Sequence, residues 1–380
     1  MMSAAKFAMC VLALLLAAMT PAFGQGQPAG PIQVKPGAEA GKQSDQQPGR
    51  VVIQVKVVTL PVAVSDHSNN LVLDLTQKDF QVFEDGKPQP IIHFDQGGDP
   101  LSIVLVLETS SRVAPLLPAV QKTGIIFTQM VMAATGEAAV IGYNDQVDVL
   151  RPMTTDSDAV LKTIEHVQPG LSGARLYDAL NRAEDILEKE PSERRRVIVV
   201  MGEKNDKGSE TKLGQVLRRA QLDNTSIYTI GLSSTAAEFR KAPERSRPVE
   251  TGPPGTYPMN PPTGTMETPS TVDEQMGNEN SVSFLPLIAW LVQHGANAVG
   301  KNALVLASTA TGGLHEGTFK DASMQRAMNA IGNDLHGDYL LAYRPPSNTA
   351  YGYHNIEVRV AEPSLKIRTR PGYFIAPPTE

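Results

Sequence analysis

Leu101-Ser102-Ile103-Val104-Leu105-Val106-Leu107 is the stretch on which the fold turns. Its single polar member leaves no solvent-facing side, the mark of a strand covered on both faces, as in the interior of a parallel sheet. Downstream, apolar residues at helical spacing run through Leu116, Val120, Ile125, Phe127 and Met130 and predict one helix. Residues 138–143 read as the next strand, 159–167 and 176–188 as helices, and Val197-Ile198-Val199-Val200 as another buried strand. A helix over 212–222 and a strand over 226–232 continue the alternation. Such an order predicts an α/β domain with a doubly wound, mostly parallel sheet.

Upstream the rhythm is different. Val51, Ile53, Val55 and Val57 alternate with their neighbours, Leu60-Pro61-Val62-Ala63-Val64 follows, and Phe80-Gln81-Val82-Phe83 leads into the turn Glu84-Asp85-Gly86-Lys87 before Ile91-Ile92-His93-Phe94. These are short β-strands joined by turn chemistry. The end of the chain is β again, through Tyr339-Leu340-Leu341-Ala342-Tyr343, 353–360 and 365–370. Neither set is large enough to bury both of its faces. We expect the two sets to pair as a small β-sandwich into which the α/β domain is inserted, an arrangement tolerated when the ends of the insert lie close together.

The resulting divisions are 1–24 signal peptide, 25–49 flexible lead-in, 50–98 first part of the sandwich, and 99–237 the α/β domain. A proline-rich linker occupies 238–283, 284–336 completes the α/β domain, and 337–376 completes the sandwich. The signal reading rests on Lys6, the apolar run 7–19 and the small residues Ala22 and Gly24, with cleavage after Gly24. The competing reading is an uncleaved anchor, for which the run is short. Cleavage removes Cys10, the one cysteine, so disulfide and thiolate chemistry are excluded from the mature chain. A net charge of −6 argues against broad attraction to nucleic acid or anionic membrane. We expect an exported chain, periplasmic or secreted.

Three segments then carry a resemblance. Leu73-Asp74-Leu75-Thr76-Gln77-Lys78-Asp79-Phe80-Gln81-Val82-Phe83-Glu84-Asp85-Gly86 resembles the stretch that precedes a von Willebrand factor A-type domain in exported bacterial proteins of the Acidobacteria type. Leu176-Tyr177-Asp178-Ala179-Leu180 is similar to a helix start of that family, and Asp338–Tyr343 with Arg370-Pro371-Gly372-Tyr373 to its C-terminal module. The resemblance implies a metal-ion-dependent adhesion site holding Mg²⁺ at the carboxyl ends of the strands, with hard oxygen ligands in near-octahedral array.

Here the family's ligand pattern is largely replaced. Glu108-Thr109-Ser110-Ser111-Arg112 stands where Asp-x-Ser-x-Ser is expected. Ala174, before Arg175, falls on the ligand threonine, and Gly202 or Glu203 falls on the second Asp. The expectation is a degenerate site without a tightly held metal or other cofactor. Arg112 or Arg175 would pair with Glu108, and the binding face would comprise Glu108, Thr109, Ser110, Arg112, Ala174, Arg175, Gly202 and Glu203. The alternative is a divalent-metal-dependent adhesion module in which Glu108, Ser110 and Glu203 still hold Mg²⁺.

Catalysis finds no support. No histidine pair has the spacing of a zinc helix, no serine sits in a nucleophile elbow, and no phosphate-binding glycine loop follows the first buried strand. Asp178 reads as a first-turn helix carboxylate rather than a general base. Asp74, Asp79 and Asp85 read as turn and surface carboxylates, and Arg194-Arg195-Arg196 as a solvated helix end. The apolar segment 284–292 with Trp290 is expected to pack on its own domain, with docking in a partner's groove as the competing reading. The preferred function is a non-catalytic, metal-independent protein–protein interaction module, with a hydrolase as the remote alternative. The expected partner is a protein, not nucleic acid, with no stable membrane insertion after signal cleavage.

Overall fold

The computed structural model describes residues 57–233, 285–297, 301–318, 321–346 and 349–377. The signal peptide 1–24, the lead-in 25–49, the alternating stretch through residue 56 and the linker 238–283 lie outside the described residues.

Strands β1 (Val58–Ser65), β2 (Phe80–Glu84), β3 (Lys87–Gln89) and β4 (Ile91–Gln96) come first. Asp85 and Gly86, at φ 47° and 76°, make the tight turn between β2 and β3, the left-handed pair such a hairpin requires. Strands β5 (Leu101–Glu108), β6 (Glu137–Tyr143), β7 (Val147–Thr154), β8 (Arg195–Gly202), β9 (Ser226–Gly231) and β10 (His315–Gly317) form one sheet in the order β10-β9-β8-β5-β6-β7. Every neighbouring pair in it is parallel except β6 with β7.

All eight residues of β5 are buried, as the apolar run requires. Leu101, Ile103, Leu105 and Leu107 join the core beneath α1 (Leu117–Gln121), α3 (Ser157–Glu165) and the long α8 (Asp321–Gly337). Val104 and Val106 join the opposite core beneath α4 (Leu176–Leu187), α5 (Leu213–Leu222), α6 (Leu285–His294) and α7 (Ala303–Thr311). Within α6, Ile288, Leu291 and Val292 are buried in this core, while Trp290 stays half exposed and stacks on His294. The segment packs on its own domain.

Three features depart from the sequence reading. The single helix expected over 116–130 is broken into a 3-10 turn, α1, α2 (Gly124–Ile126) and a wide π turn, Phe127–Met132. Pro115 and Pro118 each restart a helical turn, and the Thr123 and Thr128 hydroxyls bond back to the carbonyls of Val120 and Gly124, which loosens the ladder. The edge strands β7 and β10 were not expected. The third departure concerns the arginine triplet, which is not a solvated helix end. Arg194 meets Glu137 at 2.8 Å, Arg195 meets Asp338 through two bonds of 2.7 and 2.6 Å, and Arg196 donates to the Glu190 carbonyl. The amino edge of the sheet gathers carbonyls and carboxylates there, and guanidinium forks satisfy them.

The remaining strands, β11 (Tyr339–Tyr343), β12 (Gly352–Val360), β13 (Lys366–Arg368) and β14 (Gly372–Ile375), combine with the first four into two sheets, β13-β1-β11-β4 and β14-β12-β2-β3. Early and late strands thus complete one another around Leu60, Val62, Phe80, Val82, Tyr339, Leu341, Tyr343 and Tyr373. The fold is an α/β domain with smaller antiparallel sheets built from N- and C-terminal strands. Where the chain leaves β4 and returns to β11, the Gly97 amide donates to the Asp338 carbonyl at 3.2 Å. Among the described residues no helix is long and apolar enough to cross a membrane.

Candidate functional site

The strand order reverses between β5 and β8. The chain leaving β5 goes to β6 on one side, and the chain leaving β8 goes to β9 on the other. Open α/β sheets form a ligand-binding crevice at the carboxyl ends of such a pair. Glu108 ends β5 and Gly202 ends β8, so the crevice begins with these two residues.

Glu108 is buried, and both carboxylate oxygens are engaged. Oε1 accepts the Ser110 hydroxyl at 2.6 Å and faces Arg112 Nη2 at 3.3 Å. Oε2 accepts the Glu203 amide at 2.6 Å, a bond that spans the crevice. The same Arg112 Nη2 lies 3.4 Å from Glu203 Oε2, so one guanidinium edge bridges two carboxylates. Burial pushes the Glu108 carboxyl up, against the hydrogen bonds from Glu203 and Ser110 and the charge of Arg112. Arg112 Nε and the Tyr143 hydroxyl are buried without a hydrogen-bond partner among the described residues. Burial, and behind it the charge of Glu108, holds the Tyr143 phenol far above its ordinary range.

The other expected residues are placed differently. Thr109 is turned inward: its amide and hydroxyl reach the Tyr143 carbonyl at 2.8 and 3.1 Å, and its carbonyl accepts the Gly170 amide, which fastens β5 to β6. Ala174 is fully buried and exchanges two backbone bonds with Lys207. Arg175 pairs with Asp178 at 2.8 Å and Glu210 at 3.1 Å rather than with Glu108. The Asp178 carboxylate accepts the amides of Thr211 and Glu210, tying the start of α4 to the loop after β8. Burial raises this carboxyl, but those bonds and Arg175 outweigh it and hold it below its ordinary value.

One member of this cluster, Tyr143, was not anticipated, and Asp206 lies at the end of the expected loop 202–206. Tyr143 lies under Gly202, so that a Cβ at Gly202 would run into the Tyr143 hydroxyl and approach Glu108 Oε2 to 3.1 Å. Asp206 accepts the Tyr177 amide and the Ser209 hydroxyl. The sequence signal for Asp206 was the turn Asn205-Asp206-Lys207-Gly208, whose glycine sits at φ 101°; for Tyr143 there was none before strand register was known. Gly202→Ala is expected to destabilise the chain by about 1–3 kcal/mol, since fully buried Tyr143 has nowhere to go. Urea unfolding checks this, and Tyr143→Phe in the same chain should restore most of the loss.

The family model described as the von Willebrand factor type A domain matches residues 103–204. No curated protein matches the chain. Among solved structures, a conserved hypothetical protein, BatB from Bacteroides thetaiotaomicron, is similar at 12% identity and a TM-score of 0.38, covering 62% of this chain and 98% of its own. The vWF domain of the type V pili tip protein Mfa5 from Porphyromonas gingivalis is similar at 19% identity and a TM-score of 0.24, over 27% of this chain and 37% of its own. Proximal thread matrix protein 1 from the mussel byssus is similar at 11% identity and a TM-score of 0.41, over 66% of this chain and 49% of its own. The matched segment runs from β5 through β8, and the mixed sheet flanked by helices on both faces gives the central part of this chain a von Willebrand factor A-like fold.

Proposed function

We propose that the chain is an exported, non-catalytic protein-interaction module whose A-type domain engages its partner without a divalent ion. One observation carries the reading: Arg112 Nη2 stands between Glu108 and Glu203, at 3.3 and 3.4 Å, as a fixed cation at the head of the crevice. A second positive charge there meets direct repulsion from the guanidinium. Both Glu108 oxygens are already engaged, and Ala174 supplies no oxygen, whereas Mg²⁺ demands a near-octahedral oxygen shell. The residues present therefore do not fit the ion. The contact face would be the loops 109–113, 172–175 and 202–206, edged by exposed Leu171 and the exposed Lys204 and Lys207. The order of early strands, A-type domain and late strands supports the division at 99 and 337, and the apolar run 7–19 supports export.

Calorimetric titration of Mg²⁺ and Mn²⁺ into the chelator-treated chain tests the reading. No heat is expected from the native sequence. Arg112→Ser, which removes the guanidinium and supplies a hydroxyl, is expected to bind Mg²⁺ at millimolar levels. Binding by the native chain that Glu108→Ala abolishes would overturn the proposal in favour of metal-dependent adhesion.

A further inference from the structure

A second polar cluster lies in the sandwich, where the turn after β2 meets the start of β12. Glu84 ends β2, Asp85 opens the turn, and His354 in β12 lies opposite Tyr373 of β14. The turn is sewn to β12 by two bonds: the Asp85 amide donates to the Asn355 carbonyl at 3.0 Å, and Asp85 Oδ1 accepts the Asn355 amide at 2.9 Å. His354 Nε2 lies 2.8 Å from the Ala350 carbonyl, which can only accept, so this nitrogen carries a proton. In the neutral ring the lone pair is then on Nδ1, which lies 2.7 Å from Asp85 Oδ2 and 3.8 Å from Glu84 Oε1. One lone pair and two carboxylates thus converge on a single point.

The independent observation is Glu84 itself. Its side chain is 5% exposed, and besides His354 it faces the hydroxyls of Tyr343 and Tyr373, neutral groups that carry no compensating charge. The buried hydroxyls of Tyr343 and Tyr373 lie against it, and both phenols are pushed up, by burial first and then by the charge of Glu84 and hydrogen bonding to it. A buried carboxylate is costly unless a cation or donors compensate it. Here the strand register holds Glu84 in place between two phenols and the His354 ring.

We propose that Glu84, Asp85 and His354 form a binding site for a divalent transition-metal ion of the zinc class, separate from the crevice at Glu108. Their ligand atoms all lie within 4.8 Å of one another. Tetrahedral zinc, with bonds near 2.0–2.2 Å, needs ligand separations of roughly 3.4 Å, so small side-chain shifts suffice. An imidazole with two carboxylates suits Zn²⁺ better than Mg²⁺ or Ca²⁺, which favour all-oxygen shells. Three protein ligands leave a fourth position for water. The outer supports are already in place, with Nε2–H on the Ala350 carbonyl and Asp85 Oδ1 on the Asn355 amide. A metal here would clasp the β2–β3 turn to β12 and stabilise the sandwich by binding the folded chain alone.

The test is titration of Zn²⁺ into the chelator-treated full chain, with elemental analysis of the dialysed complex and visible spectra of the Co²⁺-loaded form. One zinc per chain at micromolar affinity or tighter is expected, with a raised Tm and the Co²⁺ bands of a four-coordinate site. Glu84→Gln and Asp85→Asn should each weaken zinc at least tenfold, and His354→Asn should remove the bands. Asp85 is partly exposed, so its variant keeps the test valid if the buried substitutions fail to fold. No zinc bound by the native chain, or binding unaffected by these variants, would overturn the proposal. In that case His354 and Asp85 form a plain ion pair.

Discussion

Asp338→Ala is expected to destabilise the chain by about 3–5 kcal/mol, because it strands a buried guanidinium. The Arg195 side chain is 9% exposed and that of Asp338 only 2%. The pair is bidentate, and Arg195 also donates to the Leu335 carbonyl at 3.2 Å and the Tyr228 hydroxyl at 3.3 Å. Burial raises the Asp338 carboxyl even though the guanidinium opposes it. Close by, Asp334 of α8 pairs with Arg368 of β13, so the two ion pairs join the A-type domain to the sandwich. Removing one carboxylate leaves two guanidinium groups facing one. Urea unfolding of the single variants and of Arg195→Met with Asp338→Leu would measure the effect. The double variant should recover most of the stability, since a well-packed apolar pair avoids the desolvation cost. A loss below 1 kcal/mol in the single variant would mean that water reaches the site on relaxation.

Glu184→Gln is expected to act in the opposite direction, with a pH dependence that identifies its cause. Glu184 lies on α4 and is almost fully buried; Oε2 accepts the Thr225 hydroxyl at 2.8 Å, and Oε1 has no partner among the described residues. Burial pushes this carboxyl up to about 8 from an ordinary 4.5, with the Thr225 bond resisting. Between those two values the folded chain retains a proton that the unfolded chain has lost. Stability therefore falls as pH rises, by about 1.4 kcal/mol per pH unit, and the loss is complete above the folded value. Glutamine has no such proton. The variant should match the native chain near pH 4.5 and exceed it by about 3 kcal/mol at pH 7. Unfolding midpoints at pH 5, 6, 7 and 8 check the divergence, and parallel curves would show that the carboxylate is solvated or paired when folded.

The central sheet was legible because 101–107 and 197–200 each carry their burial in a local run, and local runs need no partner to be interpreted. Strand β7 was missed because its alternating, half-exposed pattern runs through Arg151-Pro152, which resembles a loop. The arginine triplet was misread for a different reason. Its charges are accounted for only by Glu137 and Asp338, which are distant in sequence and adjacent only after the sheet forms. The same distinction applies to the site. Glu108 and Arg112 lie four residues apart, and their pairing could be expected from spacing alone. The contact of Tyr143 with Gly202 depends on the register of two strands that each pair with β5. Glu84 and His354 are separated by nearly the whole described chain and meet only through the register of β2 with β12.

The hydrogen bond from Gly97 to Asp338 has a mechanical consequence. Strands β4 and β11, which lead into and out of the A-type domain, are antiparallel neighbours in one sheet, and β1 is bonded to both β11 and β13. Tension applied at the two ends of the chain is carried across these ladders rather than through the domain between them. The crevice at Glu108 therefore stays unloaded until the sandwich unzips. A partner held there would feel a pull on this chain as a rigid-body tug, with the geometry of its contact surface unchanged.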